Sequence, residues 1–142
     1  MKSIRVWVYA LLKYEDKILV IKKGRGPFTW MYDLPGGKIE HWEWNIDSLK
    51  REISEEIWLQ NSDFKIEAIL SVEEDFIRHV YEWELKDEHL IAIVYTVSII
   101  NKNFNKKYIE KWWDANGFMS INIQDNILPK TPILIKILNK FK

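Results

Sequence analysis

A helix with two different faces is the strongest constraint in this sequence. Residues 46–57 carry apolar side chains at the spacing of a buried helical stripe, namely Ile46, Leu49, Ile53 and Ile57. In a helix Glu55 lies roughly 60° to one side of Glu52 and Glu56 roughly 40° to the other, so three carboxylates share one face. The chain must therefore pack this helix against a core on one side and leave the carboxylates on the other.

The carboxylate face is unfavourable unless something neutralises it, because like charges at this spacing repel. A hard divalent cation such as Mg²⁺ removes the repulsion, since it takes carboxylate oxygens together with phosphate oxygens of a substrate. The alternative is an acidic helix face exposed to solvent. Arg51 lies one position off this face and can pair with Glu55 four residues on, or with Glu43 across the preceding loop.

The longer stretch around this helix carries a recognisable motif. Residues 36–59 read GGKIEHWEWNIDSLKREISEEIWL, which resembles the Nudix box, G-x5-E-x7-R-E-U-x-E-E-x-G-U, with U a bulky aliphatic residue. The matching positions are Gly37, Glu43, Arg51, Glu52, Ile53, Glu55, Glu56 and Leu59. One defined position differs, because Trp58 stands where the family has glycine. The resemblance identifies the chain as a member of the Nudix hydrolase superfamily.

The resemblance implies hydrolysis of a nucleoside diphosphate linked to another group, with Mg²⁺ or Mn²⁺ as cofactor. Both a nucleotide pyrophosphatase and a nucleoside triphosphatase fit this description. It implies that the metal ligands are the backbone carbonyl of Gly36 and the carboxylates of Glu52, Glu55 and Glu56. Glu52 is a ligand or the base that activates water. Arg51 then orients Glu52 or Glu55 through charge-assisted hydrogen bonds, and Glu43 pairs with Arg51. The catalytic candidates are thus Glu52, Arg51 and Glu43.

Residues outside the motif supply further candidates. Lys23 and Arg25 lie at a glycine-containing loop and are candidates to bind the substrate phosphates; the alternative is an ordinary solvated loop. The family often recruits another carboxylate or a histidine to the site, and the sequence leaves several open: Glu73, Glu74, Glu82, Glu84, Glu88 and His89. The identity of the nucleotide substrate is not encoded in the motif.

Two other functions compete with hydrolysis. The first is a catalytically impaired Nudix-like domain that binds a nucleotide and regulates another process, for which the substitution of Trp58 is the argument. The second is a structural domain whose acidic helix is a solvated face. The intact arginine and three glutamates favour hydrolysis over both.

Composition narrows the class of protein further. The 142 residues favour one domain over residues 1–142, and 21 basic against 21 acidic side chains give no net charge, which argues against a nucleic-acid polymer as partner. There is no cysteine, so thiolate metal sites and disulfides are excluded, and a cytoplasmic location is expected. No apolar run has the length of a membrane span. The partner expected is a small nucleotide, and the oligomeric state is left open.

The rest of the chain predicts an α+β fold. The expected strands are residues 4–14 and 17–23 as a hairpin, 64–72, 76–85, 90–100 and 118–121, with a turn at 86–88 and a closing helix at 131–141. The apolar, β-branched segment 90–100 predicts a central strand covered on both faces. Asn45 or Asp47 is expected to cap the motif helix. The resemblance implies a Nudix-like α/β/α sandwich with a mixed central sheet.

The tryptophans are anomalous. Tryptophan outnumbers glycine 8 to 5, whereas an average protein has roughly 7% glycine. Tryptophans stand where similar Nudix sequences carry glycine, at Trp30, Trp42, Trp58 and Trp113. Either an unusual lineage has accommodated each indole through neighbouring changes, or a codon that means glycine in the source organism has been translated as tryptophan.

Overall fold

The computed structural model describes residues 2–14, 16–101 and 118–142. Within them the chain forms strands β1 to β7, two α-helices and a short 3-10 turn. In chain order these are β1 (Lys2–Tyr14), β2 (Lys17–Lys22), β3 (Tyr32–Asp33), β4 (Gly36–Lys38), α1 (Asn45–Ile57), the 3-10 turn (Asn61–Asp63), β5 (Phe64–Tyr81), β6 (Glu84–Ile99), β7 (Phe118–Asn122) and α2 (Pro132–Asn139). The sequence also predicts a polar loop at 101–107 and a turn at 113–117. Residues 102–117, which include Trp113, lie outside the described residues.

The strands form one mixed sheet in the order β3-β2-β1-β6-β5, with β4 added to β1 and β7 added to β2. The first two strands form the predicted antiparallel hairpin, with Lys13 opposite Ile18. β1 and β6 pair in parallel over a long register, from Lys2 opposite Asp87 to Leu12 opposite Val97. β6 is therefore an interior strand, as its apolar sequence predicts.

Two apolar cores lie on opposite faces of this sheet. Alternate β1 residues Val8, Ala10 and Leu12 pack with the buried stripe of α1, while Tyr9 and Leu11 pack with the buried residues of α2. The alternation follows from the period-2 geometry of a strand. The predicted α+β class and α/β/α sandwich are thus confirmed, with one helix on each face of a mixed sheet.

The closing helix begins where its sequence predicts. Thr131 is the N-cap, and its hydroxyl accepts a hydrogen bond from the backbone N–H of Leu134 at 3.3 Å. Pro132 occupies the first turn, where its missing N–H is not needed. Ile133, Leu134, Ile137 and Leu138 are its buried residues.

The predicted break between two strands at residues 73–75 is wrong, and so is the turn at 86–88. β5 continues through the acidic run, and its ladder with β6 extends from Phe64 opposite Ile99 to Tyr81 opposite Glu84. The turn is the two-residue loop Glu82–Trp83. The acidic run does not end the strand because its backbone stays paired with β6 and its side chains reach solvent or cations, such as Lys140, whose Nζ lies 3.1 Å from Glu73.

The predicted side-chain cap of α1 is also wrong. Trp44 is the N-cap residue, and no side chain caps this end of the helix. The side chain of Asn45 instead accepts a hydrogen bond from the Tyr95 hydroxyl at 2.7 Å. Asn45 therefore ties the first turn of α1 to β6 in the sheet, a role that depends on a residue fifty positions away and is invisible in local sequence.

The helices of the described residues are short or polar relative to a membrane span. None of them combines the length and the apolar character needed to cross a bilayer.

The packing of α1 generates a stability prediction. Ile53 is fully buried in the core between α1 and the sheet. Ile53→Ala should lower the free energy of unfolding by about 2–5 kcal/mol, because the sheet cannot close the cavity that remains. Chemical denaturation should show this loss, and Lys50→Ala, a partly exposed change on the same helix, should stay within about 0.5 kcal/mol of the parent. Equal effects of the two changes would contradict the assigned orientation of the helix.

Candidate active site

The site is organised where α1 crosses the short strand β4. Leu49 and Ile53, both fully buried, anchor the apolar side of α1. Glu52 and Glu56, each three residues further along, lie on the adjacent side and reach the Gly36–Gly37 backbone. β4 is itself held on β1, with Gly37 opposite Val8. The site is therefore built on two regular elements that share one core.

Glu56 is bound directly to the glycine strand. Its carboxylate accepts a hydrogen bond from the backbone N–H of Gly36 at 2.7 Å. Gly36 has φ of 155°, and a Cβ at this position would collide with Val8 O and the Cα of Tyr9. Glycine is thus required for this strand to pass so close to β1, and this passage is what brings its N–H to the helix.

Gly37 leaves room for the second carboxylate. A Cβ added there would overlap the carboxylate of Glu52, which lies directly over the glycine. The paired glycines of the motif therefore have separate physical roles. Gly36 permits the approach to β1, and Gly37 permits the approach of Glu52.

Arg51 joins the remaining carboxylates of the motif. Its Nε and Nη2 donate to the two oxygens of Glu43 at 2.8 and 3.0 Å, a two-point interaction. Its Nη1 donates to Glu52 at 2.9 Å and to Glu55 at 3.3 Å. Both pairings left open by the sequence, with Glu43 and with Glu55, occur together. The loop before α1 is thereby tied to the carboxylate face.

The carboxylates of the site differ in how strongly the protein stabilises their charged form. Burial, together with a smaller effect of the nearby charge of Glu52, raises the pKa of Glu56 to about 8 against the opposing hydrogen bond from Gly36. Burial also raises the pKa of Glu52, although Arg51 opposes this shift. In contrast, the hydrogen bonds from Arg51 lower the pKa of Glu43 to about 2. Glu52 and Glu56 are therefore close carboxylates whose shared negative charge is poorly compensated by the protein.

This donor set fits a hard divalent cation. The partly buried carboxylates of Glu52 and Glu56 lie beside the glycine strand. A bound cation would lower both raised pKa values, because it favours the charged form of each carboxylate. Among the described residues, no three acidic or histidine side chains already converge on one point. Glu55, whose side chain is 58% exposed, faces Arg51 and would have to rotate to join the other two.

A small cavity lies against β1 and the loop between β2 and β3. It has a volume of about 60 Å³, and its walls include Trp7, Lys23, Phe28 and Asp33. Lys23 Nζ lies 4.8 Å from the Trp7 ring centroid and 4.0 Å from Asp33 Oδ2. Its positive charge also acts on Glu56. Lys23 therefore faces both the cavity and the carboxylates.

Asp33 is the candidate that sequence reasoning missed. It is almost completely buried, accepts the Leu34 N–H at 2.8 Å, and is hydrogen-bonded by Thr131 and Tyr9. Burial raises its pKa to about 6, against the favourable charge of Lys23. The available signal was a lone carboxylate in the otherwise apolar segment 31–35, just before the glycines.

The other candidates lie apart from the motif helix. Arg25 is exposed in the loop between β2 and β3. Glu88 pairs with Arg5 at 2.6 Å and His79 at 3.0 Å, and it reaches the wall of the small cavity. His89 pairs with Glu74 at 2.6 Å. Glu73 pairs with Lys140, while Glu82 and Glu84 lie at the end of the β5–β6 hairpin.

A larger cavity, of about 660 Å³, lies between the start of β1 and the β5–β6 hairpin. Its walls include Ile4, Phe76 and His89, and no residue of the motif contributes to it. The residues that line the smaller cavity include none of the motif either, and its connection to the carboxylate face is the charge of Lys23 and Asp33, which acts on Glu56.

Comparison with known families matches this geometry. The family described as NUDIX domain matches residues 1–122. The chain belongs to the NUDIX family. An ADP-ribose pyrophosphatase of Methanocaldococcus jannaschii is 32% identical over 97 residues, which are 67% of this chain and 51% of that protein. The chain thus spans about half the length of this relative.

Solved NUDIX structures share the fold. A MutT NUDIX hydrolase from Burkholderia pseudomallei superposes with a TM-score of 0.60 at 21% identity, covering 99% of each chain. A NUDIX hydrolase from Nitrosomonas europaea gives a TM-score of 0.64 at 14% identity, covering 98% of this chain and 88% of that one. At these identities the likeness establishes the NUDIX architecture of the chain.

The buried Asp33 makes stability depend on pH. Its folded pKa, about 6, lies above the usual value near 4, so the folded state keeps a proton that the unfolded state releases. The stability that protonated Asp33 contributes to the folded state is therefore fully present below about pH 4 and is lost as pH rises through about 6. Asp33→Asn should remove up to about 3 kcal/mol of this pH-dependent loss.

Denaturation of metal-free protein at pH 4.5 and pH 8 measures the difference. The variant should gain on the parent at pH 8 and converge with it at the lower pH. Asp47→Asn, an exposed aspartate in α1, is the matched control and should leave the profile unchanged. A parallel shift at both pH values would mean that Asp33 does not titrate in this range.

Proposed function

We propose that this protein hydrolyses a nucleoside diphosphate-linked compound at a phosphoanhydride bond, with Mg²⁺ or Mn²⁺ as cofactor. The observation that carries the proposal is the pair of close carboxylates, Glu52 and Glu56, held against Gly36 and Gly37. Their charge is only partly compensated, by Arg51 at Glu52 and by Lys23 near Glu56. The family membership supports the same conclusion. A substrate diphosphate carries further negative charge, so such a site needs cations to bind it.

The proposed metal ligands are Glu52, Glu55, Glu56 and the carbonyl of Gly36. A divalent ion bound there would lower the pKa of a water molecule and neutralise charge on the phosphate oxygens. Glu52 is also the candidate base, because its raised pKa makes it a better proton acceptor than an exposed carboxylate. Its contact with Arg51 holds it in place for either role.

Arg51 and Glu43 are proposed as positioning residues of the catalytic set. Arg51 binds Glu43 by two hydrogen bonds and still donates to Glu52, so it fixes Glu52 relative to the loop. Glu43 keeps its negative charge down to about pH 2, so this pairing persists across the pH range of ordinary assays.

The proposed substrate side is the cavity that holds Lys23. Its ammonium lies between Trp7, Asp33 and the carboxylate face, where a phosphate would be attracted. Trp7 and Phe28 are aromatic residues of the cavity wall. Arg25 in the adjoining loop is a second phosphate candidate. The ADP-ribose pyrophosphatase relative supports a nucleoside diphosphate as substrate class. The single domain over 1–142, the cytoplasmic location and the lack of a nucleic-acid partner stay predictions.

Removal of one carboxylate tests the assignment. Glu56→Gln keeps the shape of the side chain but removes its charge, so we expect at least about 100-fold lower turnover of ADP-ribose or other nucleoside diphosphate compounds with Mg²⁺ or Mn²⁺. Released monophosphate is the readout. Glu67→Gln is the control, since Glu67 pairs with Lys65 and Ser98 away from the motif. Unchanged turnover in Glu56→Gln, or full activity in excess EDTA, would sink the proposal.

Metal should also stabilise the folded protein. An ion that binds only the native state increases the free energy of unfolding by mass action, by about 2.7 kcal/mol at 100 times its Kd, and so raises the melting temperature. Mg²⁺ or Mn²⁺ should therefore raise the melting temperature more than Na⁺ at equal ionic strength. Glu55→Gln and Glu56→Gln should each reduce the rise.

The same melting experiment separates the competing functions. An identical response of the parent and both variants would place the metal elsewhere. Stabilisation by metal without turnover would favour the catalytically impaired, nucleotide-binding alternative. The absence of any metal response would favour the structural domain.

A further inference from the structure

The backbone of several tryptophans is in a conformation that tryptophan avoids. Positive φ is uncommon for residues with a Cβ and is an outlier for bulky ones. Among the described residues, the non-glycine positions with positive φ are Glu82 and four tryptophans, namely Trp30, Trp42, Trp58 and Trp83. Their φ values are 73°, 67°, 60° and 67°.

Two of these tryptophans occupy the glycine position of a tight turn. The N–H of Glu43 bonds to Glu40 O at 3.1 Å, so Trp42 is the third residue of a four-residue turn. In the same way Met31 N–H bonds to Phe28 O at 3.0 Å, which makes Trp30 the third residue. A positive φ at the third position alone defines a type II turn, where glycine is favoured because other side chains are strained.

Trp58 occupies the terminating position of α1. It has φ 60° and ψ 23°, the left-handed conformation, and its N–H bonds to Ser54 O at 3.1 Å. Helices commonly end with one left-handed residue at this place, and that residue is usually glycine. The Nudix motif has glycine at the same position.

Trp83 extends the pattern to a position that the motif does not contain. The register pairs Tyr81 with Glu84, so Glu82 and Trp83 form a two-residue hairpin loop. Both have positive φ, as a type I′ turn requires, and the second position of that turn is strongly preferred by glycine. The structure therefore finds a glycine-type position that the sequence alone had not indicated.

The indole rings do not compensate for these backbones by packing in the core. The exposed fractions are 70% for Trp30, 93% for Trp42, 57% for Trp58 and 99% for Trp83. Trp30 has Lys22 Nζ 5.3 Å from its ring, and Trp42 has His41 at 4.8 Å between ring centroids, both surface contacts. The hydrophobic core has therefore not adapted to hold these four indole rings.

The remaining described tryptophans behave differently. Trp7 lies in β1, stacks on Tyr9 with centroids 6.0 Å apart, and contacts Lys23. Trp44 is exposed but has φ of −68°, which any residue adopts. The tryptophans therefore divide into two groups by backbone conformation.

We infer that the native polypeptide carries glycine at positions 30, 42, 58 and 83, and that its gene specifies them with a codon that its organism reads as glycine. The sequence shows tryptophan there because that codon has been translated with another table. Trp7 and Trp44 are then true tryptophans. Four added glycines also correct the shortage of glycine relative to tryptophan, 5 against 8. Position 113 lies outside the described residues and stays a sequence-based prediction.

The gene decides the codon part of this inference. Positions 30, 42, 58 and 83 should share one codon, TGA, which is a stop signal in the standard table and tryptophan in a variant one. Positions 7 and 44 should have TGG. Any other distribution overturns the inference. Mass spectrometry of the protein from its source organism gives an independent reading, since peptides covering residues 38–50 and 52–65 should contain glycine at 42 and 58, and tryptophan at either position overturns it.

Melting temperatures test the backbone part. The fourfold variant Trp30→Gly, Trp42→Gly, Trp58→Gly and Trp83→Gly should melt roughly 5–15 °C above the chain with tryptophan. The fourfold alanine variant is the matched control, because it removes the indoles but keeps the Cβ strain. Trp44→Gly, at negative φ, should bring no rise. A glycine variant that melts no higher than the alanine variant overturns the assignment.

Discussion

The hydrogen bond from Gly36 N–H to the carboxylate of Glu56 connects the two parts of the molecule on which the site depends. It joins the helix to the strand beside β1, and it exists because Gly36 has no side chain to hold that strand away from Val8 and Tyr9. The same close approach buries Glu56 and raises its pKa to about 8. The same contact therefore holds β4 in place and removes water from the carboxylate of Glu56.

Arg51 allows several acidic side chains to lie close together in the folded protein. One guanidinium contacts Glu43, Glu52 and Glu55, so much of the repulsion on the helix is offset within the motif. Glu56 is hydrogen-bonded to Glu52 and to the backbone of Gly36, and the charges of Lys23 and Asp33 act on it. The poorly compensated charge is thus concentrated at the boundary between the carboxylate face and the small cavity, where a metal-bound diphosphate would have to lie under the proposed function.

The turn before α1 and the end of α1 also depend on backbone conformations that glycine favours. The turn at 40–43 places Glu43 against Arg51, and the left-handed residue at 58 ends the helix directly after its last carboxylates. Both positions require a backbone that glycine adopts most easily, and both hold tryptophan in this sequence. Glycine at positions 42 and 58 would therefore affect the placement of the site carboxylates as well as the stability of the fold.

Periodicity is a local property, so the sequence was sufficient to predict the two-faced helix, the opening hairpin and the interior strand, and the fixed spacing of the motif was sufficient to predict the family. The sequence placed the strand break and the turn wrongly at 73–75 and 86–88, since pairing with β6 decides where β5 ends. It also predicted that Asn45 or Asp47 caps α1, whereas no side chain caps this helix and Asn45 binds the hydroxyl of Tyr95 in the sheet. Only the tertiary structure put Asp33 and Lys23 next to Glu56, because burial and charge proximity arise when separate strands meet the helix.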